Sequence, residues 1–188
     1  MKKLAIFGSG SGSNAENICN YFRGSDYVDI ACIFTNNKEA FIVKRANKLK
    51  IPIIYISKKE LLDFFGIYKT LKSYNIDYII LAGFLLKIPE KFINFYQKKI
   101  INIHPSLLPK YGGAGMYGRK IHQSVLENKE NESGITIHFV NENYDEGEII
   151  FQESCKIGCN EKIIDLEKKI GLLELKFFPK IIEKIILK

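Results

Sequence analysis

The run Asn102-Ile103-His104-Pro105-Ser106-Leu107-Leu108-Pro109 holds the densest chemistry in the chain. It follows an apolar stretch that reads as a strand, where side chains two apart face the same way. The amide of Asn102 and the imidazole of His104 therefore project together. An amide N–H can hold a developing oxyanion while an imidazole moves a proton, which is what acyl transfer through a tetrahedral intermediate needs. A carboxylate beside the ring favours its charged form and raises its pKa above about 6.5. Asp145, in Asn143-Tyr144-Asp145-Glu146-Gly147, is available for that part; its alternative is a turn residue ahead of Gly147. His122 and His138 read as structural members of a helix and a strand.

A second segment, Gly8-Ser9-Gly10-Ser11-Gly12-Ser13-Asn14, sits between a first strand and a first helix. Glycines let backbone approach a ligand closely, and the free N–H groups of a helix N-terminus favour phosphate. Ser13 breaks the G-x-G-x-x-G spacing and no P-loop lysine follows, so a single phosphate is favoured over a dinucleotide. The alternative is a flexible turn with Ser13 or Asn14 as helix N-cap.

These segments need a scaffold, and the apolar pattern supplies one. Leu4 to Phe7, Val28 to Thr35, Ile53 to Ile56, Asp77 to Ala82 and Ile100 to His104 read as strands. Between them Asn14 to Phe22, Glu39 to Leu49, Lys59 to Tyr74 and Pro89 to Tyr96 read as helices. Alternation of this kind predicts an α/β fold with a mostly parallel, Rossmann-like sheet covered on both faces by helices, and open sheets bind ligands at the carboxyl edge of their strands. A glycine-rich loop from Gly112 to Gly118 then precedes a helix over Arg119 to Glu127. Ile135 to Val140 and Glu148 to Glu153 form an antiparallel strand pair around the polar loop Asn141 to Gly147, and a last helix spans Lys162 to Leu187, kinked or interrupted at Pro179.

The length, 188 residues, predicts one domain over 1–188. A composition 46% hydrophobic and 26% charged excludes a disordered chain. The net charge of +7 is almost all lysine and is spread along the sequence, so no nucleic-acid partner is expected. No apolar run reaches the roughly 20 residues of a membrane span, and the short apolar start reads as a buried strand of a cytoplasmic protein. Cys19, Cys32, Cys155 and Cys159 are read as free, mostly buried thiols. The three histidines have no metal-ligand spacing, and no metal is expected.

The Gly12-Ser13-Asn14 turn, Ala82-Gly83-Phe84, Asn102 to Pro109, Ser133 to Val140 and Asp145-Glu146-Gly147 together resemble, in order and spacing, the folate-dependent formyltransferases. The resemblance covers almost the whole chain and is strongest to the branch that acts on glycinamide ribonucleotide. It implies the formyltransferase fold, transfer of a formyl group from the cosubstrate 10-formyltetrahydrofolate to the amine of that ribonucleotide in purine biosynthesis, and a monomer or homodimer. By analogy Asn102 holds the formyl oxygen, His104 is the proton donor, and Asp145 raises the histidine pKa and relays a proton through water. Gly12, Ser13 and Asn14 would hold the substrate phosphate, and Glu174 would contact the same substrate. The backbone of Phe84, Leu85, Leu86, Lys87 and Ile88, with Asn102, Tyr144 and Asp145, would receive the folate, under the loop Asn141 to Gly147. Two departures stand out: the glycine-rich stretch Lys110 to Gly118, and the lack of a folate-site arginine in Ser57 to Tyr74, where Lys58 or Lys59 is the substitute. Methionyl-tRNA formyltransferase-like and formyltetrahydrofolate deformylase-like enzymes are the alternatives within the family, and a non-catalytic nucleotide-binding module is the one outside it.

Overall fold

The computed structural model describes residues 1–187. One seven-stranded sheet runs in the order β3-β2-β1-β4-β5-β6-β7. Strands β1 (Lys2–Phe7), β2 (Val28–Thr35), β3 (Ile53–Tyr55), β4 (Tyr78–Leu81) and β5 (Ile100–His104) are mutually parallel, while β6 (Glu132–Phe139) and β7 (Ile149–Lys156) complete the sheet antiparallel. Strict alternation along β1 explains the double coverage. Leu4 and Ile6 join the core under α1 (Ser13–Tyr21), α2 (Phe41–Leu49), α6 (Arg119–Glu127) and α7 (Ile163–Ile186), while Ala5 and Phe7 join the core under α3 (Lys58–Leu62), α4 (Phe64–Ser73) and α5 (Glu90–Phe95). Of the thiols, Cys19 and Cys32 are buried as expected, but Cys155 is half-buried and Cys159 exposed, because both lie at the open edge formed by β7 and its exit.

One helical expectation is corrected, and of the two alternatives at Pro179 the interruption is excluded. The stretch read as one helix over Lys59 to Tyr74 is two, divided at Asp63, whose backbone leaves helical geometry. The first of them is fixed by a Ser57/Glu60 capping box, a strong start signal. At the other end of the chain α7 runs uninterrupted through Pro179. Proline cannot donate to the carbonyl four residues earlier, and that carbonyl, on Leu175, instead accepts a hydrogen bond from Asn17 Nδ2 at 2.7 Å. Asn14 Nδ2 donates to Glu174 at 2.9 Å and Tyr21 Oη to Glu183 at 2.6 Å, so one face of α1 is bonded to α7 along its length.

The chain order reverses between β1 and β4, and the loops leaving these strands at their carboxyl ends diverge there. They are tied where they part: Ser9 N–H donates to the Gly83 carbonyl at 3.0 Å, and the Ser9 hydroxyl accepts from Leu85 N–H at 3.0 Å. The β6–β7 hairpin closes equally tightly. A Cβ on Gly147 would stand 1.7 Å from the carbonyl oxygen of Phe139, backbone that has no room to retreat. Gly147→Ala should therefore lower stability by about 1–3 kcal/mol. A urea midpoint equal to that of the native chain would contradict this close approach.

Candidate active site

Strand β5 delivers Asn102 and His104 to the carboxyl edge, and β6 is registered against it so that His138 lies opposite Asn102 and Thr136 opposite His104. The β6–β7 ladder slips between Ile137 and His138, a bulge of the kind that re-aims a side chain. Thr136 Oγ1 donates to the Ser106 carbonyl at 2.7 Å and accepts from Leu108 N–H at 2.9 Å, which pins the segment after His104. Gln152 on β7 adds a bond to the Leu108 carbonyl at 2.9 Å.

Asp145, in the left-handed region with φ of 59°, points back from the β6–β7 connection into this group. Its Oδ1 lies 3.5 Å from His104 Nδ1, 3.7 Å from His138 Nε2 and 3.4 Å from Asn102 Nδ2; its Oδ2 accepts Gly113 N–H at 3.0 Å. Asn102, His104 and Asp145, separate in sequence, thus converge as expected. His138 joins them, which corrects its reading as a purely structural strand residue. The signal was present, since His138 stands two residues from Thr136 on a strand that had to pair with β5, but strand register cannot be read from one sequence.

Hydrogen-bond partners fix the proton positions. A carbonyl only accepts, so the 2.9 Å contact of His104 Nε2 with the Tyr111 carbonyl puts hydrogen on Nε2 and leaves Nδ1 without one in the neutral ring. By the same reasoning His138 Nδ1 donates to the Phe139 carbonyl at 2.8 Å, and its Nε2 accepts from Asn102 Nδ2 at 3.1 Å. Both amide hydrogens of Asn102 are engaged, one on His138 and one on the longer bond to Asp145.

Burial dominates the electrostatics of His104, only 4% exposed, and pushes its pKa below the usual histidine value; Asp145 and the Tyr111 carbonyl pull upward without cancelling it. The expectation that Asp145 holds this ring above its ordinary pKa is therefore corrected: the carboxylate acts in that direction, but desolvation is larger. For Asp145 burial raises the pKa, yet His138, His104 and the Gly113 N–H together hold it below its usual value. At neutral pH the site holds a neutral imidazole facing a carboxylate.

Asn102, His104 and Asp145 border a cavity of about 460 Å³, and His138 stands behind them, outside its lining. One wall is the turn Gly10–Asn14; others are Gly83–Leu85, the glycine-rich Gly113–Gly118 and the α7 residues Glu167, Ile170, Gly171 and Glu174. Gly12, at φ 74°, opens α1, and no side chain caps that helix, so neither Ser13 nor Asn14 acts as the N-cap. Asn14 turns instead to Glu174, whose buried carboxyl is pushed up to about 7, the Asn14 bond only partly opposing burial. Asn14 Oδ1 and His122 Nδ1 are buried with no hydrogen-bond partner among the described residues. His122, on α6, lines the cavity, and burial holds its pKa down.

A second cavity, about 710 Å³, adjoins the first through Leu85 and Tyr144. Leu85, Leu86, Lys87 and Ile88 line it together with Leu61, Leu62 and Lys58 but not Lys59. Phe84 does not line it but borders the first cavity, edge-on to Phe7 at 5.3 Å, and Lys87 Nζ lies 5.5 Å from the Tyr144 ring. Among the described residues no group of three His, Cys, Asp or Glu side chains could hold a metal ion, and no helix is long and apolar enough to cross a membrane.

A parallel sheet reversed between β1 and β4, with an Asn, a His and an Asp meeting at its carboxyl edge, defines the class: the formyl transferase family model matches residues 2–182, and the chain belongs to that family. Within it the chain is similar to the chloroplastic phosphoribosylglycinamide formyltransferase of Arabidopsis thaliana, 38% identical over 96% of this chain and 64% of the relative. It is also similar to the Haemophilus influenzae enzyme of the same name, 36% identical over 97% of this chain and 86% of the relative. The chain spans about three fifths of the plant relatives, 64% of one and 60% of another. Among solved structures, phosphoribosylglycinamide formyltransferase from Anaplasma phagocytophilum superposes with a TM-score of 0.89 at 31% identity, covering 99% of this chain and 87% of that one. Glycinamide ribonucleotide transformylase 1 from Geobacillus kaustophilus does so with 0.89 at 31% identity and 99% coverage of both.

A histidine titration by NMR checks the electrostatics without any substrate. His104 should titrate below about 6.5, and Asp145→Asn, which removes the one negative charge opposing desolvation, should move it lower still. A His104 value above the ordinary one would contradict the account of the site.

Proposed function

We propose that the protein transfers the formyl group of 10-formyltetrahydrofolate to the amine of glycinamide ribonucleotide, a step of purine biosynthesis. The observation that carries the reading is the meeting of the Asn102 amide, the His104 imidazole and the Asp145 carboxylate on the wall of the first cavity, which is bounded by unbonded backbone N–H groups and adjoins a second, largely apolar one through Leu85 and Tyr144. A phosphate-bearing acceptor suits the first and a flat folate the second.

The folate supplies an activated formyl carbon; the rest is the work of the chain. Asn102 releases its long 3.4 Å bond to Asp145 and donates that N–H to the formyl oxygen as the amine attacks. The neutral His104, with Nε2–H held by Tyr111, takes the amine proton on Nδ1, and the imidazolium formed is paired with Asp145 at 3.5 Å. The same proton then passes to the departing folate nitrogen, directly or through water held by Asp145. His104 is thus proton acceptor first and donor second, which its depressed pKa permits.

Gly12, Ser13 and Asn14 hold the acceptor's phosphate on the N-terminal amides of α1, and Glu174 accepts from its sugar or amide. Asn14 Oδ1, buried without a partner, supports a ligand at this end. Main-chain groups of Phe84, Leu85, Leu86, Lys87 and Ile88 receive the pterin, with Tyr144 over the entrance. Lys58 faces the carboxylate tail in place of arginine, with a point charge instead of a fork. Four free thiols favour the cytoplasm, where such groups stay reduced.

With 10-formyltetrahydrofolate as donor, glycinamide ribonucleotide should be formylated and initiator tRNA should not; the reverse preference would move the chain to the other branch. His104→Ala should lower kcat by about 10²–10⁴-fold and Asn102→Ala by about 10²–10³-fold. The acid limb of kcat/KM should lie below about 6.5, because activity needs the neutral ring and its pKa is depressed. Unchanged turnover in either variant would remove that residue from the chemistry.

A further inference from the structure

The turn that faces the first cavity is gripped from behind by α2. Ile42 N–H donates to the Gly10 carbonyl at 3.1 Å, and Arg45 Nε–H donates to the Ser11 carbonyl at 3.0 Å. Both peptides are trans, and in a planar trans peptide the N–H points opposite to the C=O. Anchoring those two carbonyls on α2 therefore aims the N–H groups of Ser11 and Gly12 away from α2. Neither makes a hydrogen bond among the described residues, and they lie directly ahead of the uncapped amides of α1. A run of unbonded N–H groups in this arrangement is an anion cradle.

Arg45 does a second thing. Glu16, in the first turn of α1, is a negative charge close to where an anion would rest, and Arg45 forms an ion pair with it. The guanidinium is itself steadied by the Phe41 ring, 5.0 Å from its centroid. One side chain thus sets the direction of the amides and neutralises the charge that would oppose their ligand. The independent sign that a ligand belongs here is Asn14, 8% exposed, which lines the same cavity with Oδ1 unpartnered.

We infer that Arg45 is a positioning residue for the phosphate of the acceptor, selecting phosphorylated over unphosphorylated acceptors without touching either. The inference rests on the proposed function for the identity of the acceptor, but not for the anion itself.

Arg45→Met and Arg45→Lys separate the possibilities. Calorimetric titration with inorganic phosphate should show the dissociation constant rising about tenfold in Arg45→Met, within the range of helix-terminus and charge effects. Arg45→Lys should fall between, since lysine can neutralise Glu16 but lacks the flat Nε–H donor. In formyl transfer, the ratio of kcat/KM for the ribonucleotide to that for its phosphate-free riboside should fall by a similar factor, a ratio that general damage to the fold leaves unchanged. Native phosphate affinity and an unchanged ratio in Arg45→Met would overturn the inference, as would failure of the native chain to bind phosphate. Should the methionine variant not fold, Arg45→Lys is read by the same criteria. If the native chain binds phosphate but formylates neither acceptor, the proposed function fails while the titration still decides the role of Arg45.

Discussion

The pairing of β5 with β6 is the constraint on which the site depends. Asn102 opposite His138 and Thr136 opposite His104 is a single choice of register, and a slip by one residue would turn every side chain of β6 to the other face. His138 would then leave Asn102 without the acceptor that orients its amide, and Thr136 would release Ser106 and Leu108. The register is secured from both sides. Ile135 and Ile137 are completely buried in one core and Thr136 and His138 are buried on the opposite face, so slippage would drive the two polar side chains into the apolar core, and Val140 N–H is bonded to the Ile100 carbonyl at 2.9 Å. The hydrophobic effect thereby fixes a polar geometry it does not itself contain.

Given that register, the polar groups are held largely by main chain. Tyr111, at a positive φ of 58°, presents its carbonyl to His104 while its hydroxyl is held by Glu130 at 2.9 Å. Phe139 presents a carbonyl to His138, and Gly113 an N–H to Asp145. Carbonyls cannot exchange donor for acceptor roles, so they set both tautomers without ambiguity. Thus the glycine-rich Gly112–Gly118 segment, a departure in sequence, still serves this group: what it contributes to Asp145 is a backbone amide, held at a φ of 98° that glycine adopts readily. The free direction left to the loop is toward the cavity it lines.

What was legible in the sequence follows the range of the interactions. Strand and helix alternation is local, and it located the parallel core, the β5 edge and the glycine turn. The capping signal Ser57-Lys58-Lys59-Glu60 is local too, but it played no part in the reading of a single helix over Lys59 to Tyr74, which Asp63 divides. The rescue of Pro179 was not visible, because the donor, Asn17, is on another helix; a sequence reading can only see that a carbonyl loses its partner. The role of His138 and the direction of the His104 pKa are likewise tertiary. Position relative to β5 decides the first, and depth of burial against one carboxylate decides the second.

In the proposed transfer, depth of burial against one carboxylate also sets how the proton moves are timed. A histidine held charged by its carboxylate would enter the reaction with its proton in place and would have nothing to offer an attacking amine. Burial of His104 makes the neutral form the resting one, and Asp145 at 3.5 Å becomes valuable only when charge appears on the ring. An interaction stronger after proton transfer than before it lowers the barrier instead of deepening the ground state. Desolvation and the carboxylate, opposed in their effects on the free protein, are therefore complementary: the first keeps the base available, and the second stabilises what it becomes.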